Sequence, residues 1–523
     1  MYLKRLIFVG AALSLLAGCD IPNAEISGKV TYEKVPHSEE TNGLDYRNSY
    51  DVPLRGVRVE LIEDGKVIET DITDSQGSYS FVKKMDTFVQ LRVRAELIND
   101  DTSEDGNEWH VRVVDNTNDK AVYTLSTDTF EVNREIMEVN LHAASGWQGD
   151  EGYKRTRAAA PFHILDKVND ILLKLDDVGE VQLPTLTMNW SPNNIPSQEL
   201  DYATGKIITS HYTNNEIYLL GAENVDTDEY DDHVIIHEWA HFFEDNLARS
   251  DSIGGPHAGG DYLDLRVAFG EGFGNAWSAM ITDRPLYQDS FDQGQALGFS
   301  IAIEDNDVIN PGWFSEGSVQ SLLYDIYDEA ADGQDFIHLG LEPIVSILTN
   351  QQKDTAALTS IFTFMTYFKE NYPEYATDVD NMMVAQNINP AVDIWGTNED
   401  NNGSLPEGLP VYLDLFPRDI LRVCTSTSQG DAGNKLANHR FLKLNAPVAG
   451  NYTLTLTPSR NNDIDAYIFT NGVEVARDEA PGIEPVVLSF DLEQGISIAD
   501  TIGYNEEGTS VAATCFDAEF QLN

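Results

Sequence analysis

The stretch Asp231-Asp232-His233-Val234-Ile235-Ile236-His237-Glu238-Trp239-Ala240-His241-Phe242-Phe243-Glu244 holds H-E-x-x-H inside an apolar run. One helical turn takes about 3.6 residues, so on a helix His237 and His241 project from one face, a turn apart. Two imidazoles so placed can grip one Zn²⁺, with Glu238 beside them at the open side of the metal. A water held by zinc has its pKa lowered towards about 7, and a neighbouring carboxylate can take its proton as it attacks a carbonyl. The plainer alternative is a pair of histidines satisfied in the core of a helix. His233, one turn earlier on the same stripe, is read as a supporting or surface residue, because a third histidine on one helix would not close a tetrahedral site.

A catalytic zinc takes three protein ligands and keeps one position free. After a polar, glycine-rich loop over 250–264, the run Leu265-Arg266-Val267-Ala268-Phe269-Gly270-Glu271-Gly272-Phe273-Gly274-Asn275-Ala276-Trp277 reads as a second helix. Its one prominent carboxylate, Glu271, stands among small and apolar residues. Burying it is costly unless it is paired or bound to a metal. Glu271 is therefore the expected third ligand.

The pair of motifs, His237-Glu238-x-x-His241 and Gly270-Glu271-Gly272-Phe273-Gly274-Asn275, resembles the gluzincin metallopeptidases, most closely the fungalysin branch and more distantly thermolysin. The resemblance covers roughly the central third of the chain. It implies a zincin domain in which His237, His241 and Glu271 bind zinc and Glu238 is the general base. It departs from the family at Asn275, where an aspartate usually orients a zinc-bound histidine. Asparagine still accepts a hydrogen bond but brings no charge. The resemblance also implies a histidine that stabilises the oxyanion. His257, in the Gly-rich loop between the two helices, and His338, further on, are the candidates.

Working outward, 158–175 has apolar residues at helical spacing (Phe162, Leu165, Val168, Ile171, Leu172, Leu175), and 185–190 reads as a strand. Segments 206–212 and 216–221 read as a hairpin about Asn214-Asn215, whose edge could accept an extended peptide by main-chain pairing. Helical patterns resume over 318–328, 343–348 and 357–367.

The prefix alternates with period two over 26–32, 56–62, 66–70, 78–81, 89–95 and 110–114, with turn signals between. The order S-G-K-V at 27–30, G-V-x-V-x-L at 56–61 and T-D-x-x-G-x-Y-x-F at 73–81 resembles a transthyretin-like, carboxypeptidase-regulatory-like domain. Downstream, N-Y-T-L-T-L at 451–456 and N-D-I-D-A-Y-I-F-T-N-G at 462–472 resemble the pre-peptidase C-terminal domain. Its acidic loop at 461–465 could hold Ca²⁺, with a plain turn as the alternative. The expected architecture is a multidomain α+β chain. It has a leader at 1–18, a tether and β-sandwich at 19–146, a zinc peptidase domain at 147–415 and a second β-sandwich at 416–523.

Lys4 and Arg5 precede a short apolar run and then Leu16-Ala17-Gly18-Cys19, which resembles a bacterial lipobox. It implies lipidation of Cys19 and a protein anchored at the inner or outer membrane of a bacterial envelope, on the periplasmic or surface side. Of three cysteines, Cys424 and Cys515 remain, an even pair in an exported chain and so a candidate disulfide. With 33 Lys and Arg against 87 Asp and Glu, the net charge of −54 argues against nucleic acid and anionic lipid as partners. Together these readings point to an exported, lipid-anchored zinc endopeptidase acting on peptide or protein substrates, with oligomeric state left open. Two rivals stand beside it. One is a metal-binding surface adhesion or binding protein of weak or absent activity, for which two sandwich modules would be ordinary equipment. The other is a zinc aminopeptidase, for which no acidic anchor for a free amine is apparent.

Overall fold

A computed structural model describes residues 22–100, 107–179, 181–304, 308–329, 337–401 and 405–523. The leader with Cys19, and most of the polar loop after residue 100, lie outside the described residues. The chain is mixed α+β and divides into two units.

The smaller unit comprises residues up to 31, 53–94 and 124–142. One sheet is built on the strand Asn23–Lys34, which pairs antiparallel with Ser78–Lys84 and parallel with Ile136–Glu138. The other joins Thr124–Ser126, Phe88–Arg94, Arg58–Glu63 and Lys66–Ile72 in that order. Period-two patterning is visible in the burial: Val89, Leu91 and Val93 are fully buried, and the residues between them are not.

The larger unit holds residues 32–52, 95–123 and 143–523. Its first sheet runs His211–Thr213, Glu216–Leu219, Leu186–Trp190, Glu108–Asp115, Glu96–Asp100. This relocates the 110–114 segment. It does not continue the prefix series but pairs parallel with Leu186–Trp190 in the register Val111 opposite Leu186 and Val113 opposite Met188. Alternation gives a strand's faces but carries no information on its partner. The hairpin at Asn214-Asn215 is present, with φ of 48° and 61° at the two turn residues. It is shorter than expected, because Lys206–Ile207 pairs with Ile195–Pro196 instead.

Helices α1 (Ala159–Asp176), α2 (Asp232–Asn246) and α3 (Leu265–Thr282) follow the expected spans, and α4 (Glu316–Tyr327) packs on α3. The aspartate preceding α3, Asp264, caps it by accepting from the Arg266 N–H. The contact between α2 and α3 is aromatic. Trp239 and Phe243 meet Phe273 and Trp277, with the two indoles stacked at 6.1 Å and the Phe243 and Trp277 rings at 5.0 Å. All four side chains are fully buried.

The last part of the unit is a pair of sheets. One contains Tyr412–Leu415, His439–Ala446, Gly495–Tyr504, Asp463–Thr470 and Val473–Asp478, and the other Ile420–Cys424, Cys515–Leu522, Gly450–Pro458 and Val486–Leu492. Leu442, Leu444 and Ile468 of the first share one core with Leu454, Phe516 and Phe520 of the second. Tyr412–Leu415, expected at the end of the preceding domain, is an edge of this sheet, parallel to His439–Ala446. Cys424 and Cys515 lie opposite each other on neighbouring strands and are disulfide-bonded.

The bond closes a loop with a sequence separation of 91. Replacing both cysteines by serine should lower the stability of this part by roughly 4 kcal/mol on the chain-entropy account, seen as a lower melting temperature of the non-reduced protein that reduction of the parent reproduces.

Candidate metal centre

Each of α2 and α3 carries two pairs of residues at i, i+4. The aromatic pairs, Trp239/Phe243 and Phe273/Trp277, bind the helices together. The polar pairs, His237/His241 and Glu271/Asn275, start two residues before, so about 200° round each helix. Packing of the aromatics therefore sets the polar pairs facing each other. Nε2 of His237 lies 3.2 Å from Oε2 of Glu271 and 3.2 Å from Nε2 of His241, and His241 Nε2 lies 3.6 Å from the same Glu271 oxygen. His237, Glu238 and Glu271 are 7–9% exposed.

Two glycines permit this approach. A Cβ on Gly274 would lie 2.8 Å from the His237 ring, and one on Gly272 would lie 2.7 Å from the Glu316 carbonyl and closer still to Val319. Alanine at either would drive α3 off α2 or off α4.

The imidazoles are held from behind. Nδ1 of His237 donates to Asn275 Oδ1 at 3.0 Å, and the Asn275 amide donates to Gln320 Oε1 of α4 at 3.0 Å. That second bond fixes which end of the amide faces the histidine. The charge absent at Asn275 is present on the other imidazole, where His241 Nδ1 faces buried Glu244 at 3.5 Å. Glu244 follows His241 by three residues, a spacing that keeps it on the same helical face. That was the available signal for it, whereas Gln320 had none. Burial acts to lower the pKa of His241, but the Glu271 and Glu244 carboxylates outweigh it and hold the group well above its ordinary value. Burial acts to raise Glu271, and His241, His237 and His257 together pull it well below the carboxylate range.

His257 belongs to this cluster. Its Nε2 lies 3.2 Å from Glu271 and its Nδ1 2.9 Å from Glu316. Burial opposes its charge, yet the two carboxylates raise it to about 9. His338 is elsewhere, exposed and joined to the Asp328 carbonyl and Glu329. His233 is buried against the Arg284 carbonyl and pushed down to about 4 by that burial. Tyr287, which sequence patterning did not single out, sets its ring edge-on to His237 at 6.2 Å.

The donor set fits a metal ion. A ligand distance of about 2.0–2.1 Å in a tetrahedral site implies donor-to-donor edges of about 3.3 Å, and the three atoms stand at 3.2–3.6 Å. Two imidazole nitrogens aimed at each other at 3.2 Å need a proton or a cation between them. With Nδ1 of His237 committed to Asn275, its Nε2 is left as a lone-pair donor.

Among the described residues one further group brings three potential ligands together, Asp226, Asp228 and Asp289. Burial, and then repulsion from Asp231 and from one another, raises Asp226 to about 7 and Asp289 to about 8, with Asp228 also raised well above its ordinary value.

A family model, the mycolysin C-terminal domain, matches residues 179–388, a span that includes α2, α3 and the whole cluster. The chain thus contains a peptidase-associated domain. No curated protein matches the chain. Several solved structures are similar to parts of it, two of them as follows. One is the pre-peptidase C-terminal domain of a collagenase from Bacillus anthracis (8% identity, 21% of this chain and 94% of that chain, TM-score 0.17). The other is a DUF3823 family protein from Parabacteroides merdae (14% identity, 24% of this chain and 46% of that chain, TM-score 0.12). Likenesses at these scores assign no fold here.

The aspartate cluster yields a pH dependence. Its folded-state values lie above the unfolded value of about 4, so its contribution to stability is full below pH 4 and is lost as pH rises through 7 to 8. Asp289→Asn should gain melting temperature over the parent increasingly from pH 4 to 8 and level off above, in thermal melts without added divalent cation.

Proposed function

We propose that the chain is an exported, lipid-anchored endopeptidase whose zinc is held by His237, His241 and Glu271. The observation that carries this reading is the convergence of two imidazole Nε2 atoms and one carboxylate oxygen at the edge lengths of a tetrahedral site. The peptidase-associated match over 179–388 supports a peptide or protein as substrate. Nitrogen and oxygen donors in this number suit zinc among the available divalent ions.

Zinc in such a site supplies Lewis acidity at the scissile carbonyl and lowers the pKa of a water to about 7. The chain supplies the rest. Glu238, next to His237 on α2, takes the proton of the attacking water and delivers it to the leaving amine. His257, held through Nδ1 by Glu316, donates from Nε2 to the negative charge that develops on the carbonyl oxygen. Asn275 and Glu244 keep the two imidazoles aimed. His211–Thr213 is the outermost strand of its sheet among the described residues. Tyr212 ties it to Asp245 at the end of α2 by a 2.6 Å hydrogen bond. An extended substrate adds to that edge through main-chain hydrogen bonds.

Anchoring through Cys19, in a bacterial envelope, rests on the lipobox. No helix among the described residues is long and apolar enough to cross a membrane.

Glu238→Gln should keep zinc, measured by elemental analysis, and lose about 10²–10⁴-fold in kcat on a quenched casein substrate. Full activity in that variant would dismiss the general-base role. Asn275→Ala should weaken zinc binding about 10–100-fold in a competition with a chromophoric chelator.

A further inference from the structure

A cavity of about 570 Å³ lies between the loop joining α2 to α3 and the paired sheets of 412–523, within the size range of ordinary ligand sites. Ile253 stands on the loop side, and Phe469 and Tyr504 on the sheet side. At its base is a chain of buried charges. Every nitrogen of the Arg266 guanidinium is engaged: Nε and Nη2 donate to Asp264 at 2.9 and 3.1 Å, and Nη1 donates to Asp500 at 2.8 Å. The second oxygen of Asp500 holds Nδ1 of His439 at 2.7 Å.

This arrangement selects against ionic ligands. The one guanidinium is already shared by two carboxylates, so the cavity has no spare cation for a phosphate or a free carboxylate. Its carboxylates are likewise committed, which disfavours an amine. What it offers is a mixed wall, with Ile253 and Phe469 beside the polar side chains of Ser252, Asn434 and Tyr504, and the remaining nitrogen of the His439 ring, Nε2. That combination suits an uncharged group with an apolar body and hydrogen-bonding atoms beside it, such as a peptide unit bearing an aliphatic or aromatic side chain.

The cavity also adjoins the metal cluster. Ser252, on its wall, lies 3.6 Å from the point where a Cβ on Gly270 would stand, and Gly270 precedes Glu271. Five residues on, the same loop brings His257 to Glu271. One continuous loop thus borders both the cavity and the cluster.

We infer that this cavity is an accessory site that captures an apolar side chain of an unfolded polypeptide substrate lying across the metal centre. The substrate class rests on the endopeptidase reading above. The site itself rests on the cavity, its neutralised base and its mixed apolar and polar walls.

The test uses the full chain with Glu238→Gln, which prevents turnover, titrated into fluorescein-labelled reduced casein and followed by anisotropy. Phe469→Ala and Ile253→Asp, on opposite walls, should each raise Kd fivefold or more. Ile253 is 43% exposed, so its substitution leaves the fold in place and decides the matter if Phe469→Ala lowers the melting temperature. An unchanged Kd in Ile253→Asp overturns the inference, as does a Glu238→Gln chain that binds no casein. Cleavage by the unaltered chain is a separate readout. Wall-sensitive binding without cleavage defeats the endopeptidase reading and leaves the accessory site standing; cleavage with wall-insensitive binding does the reverse.

Discussion

The packing of α2 on α3 is the constraint from which the rest of the site follows. Trp239, Phe243, Phe273 and Trp277 form one stacked, water-free contact, and large aromatic surfaces of this kind dominate the energetics of a core. Because a helix is rigid over one turn, fixing one face fixes the other. The positions of His237, His241, Glu271 and Asn275 are thus consequences of an apolar contact about 200° round each helix. Gly272 and Gly274 act within the same constraint, since each removes a Cβ that would hold α3 away from α4 or from His237.

Polar groups around the cluster are arranged in depth. Glu271 is met by three imidazoles, His257 is shared between Glu271 and Glu316, His241 is backed by Glu244, and His237 by Asn275 and then Gln320. A buried carboxylate or imidazole is tolerable only with partners of this kind. The asymmetry between the two histidines is informative. One is oriented by a neutral amide and the other by a carboxylate, so the charge that an aspartate would supply at position 275 enters from α2 itself.

The two-sheet part at 412–523 contributes more than a separate module would. Asp500, on one of its strands, shares Arg266 at the start of α3 with Asp264, and its edge strand begins at Tyr412, before the boundary expected between 415 and 416. The loop from α2 to α3, which carries His257, runs between this part and the ligand helices.

The sequence by itself determined the local facts. H-E-x-x-H on an apolar helix, a second helix bearing one carboxylate among glycines, the Asn214-Asn215 turn, and the cysteine pair were all legible, because each depends on spacing within a few residues or on simple parity. Tertiary structure alone decided which strands pair and which distant side chains converge. The 108–115 strand joins Leu186–Trp190 because parallel pairing is chosen by neighbours far away in the chain, a choice that alternation does not encode. His257 rather than His338 meets Glu271, and Gln320 orients Asn275, because loop paths and helix packing set those distances. The physical reason is common to all of them. Periodicity tells a residue which face of its own element it occupies, and only the packing of elements tells it what stands opposite.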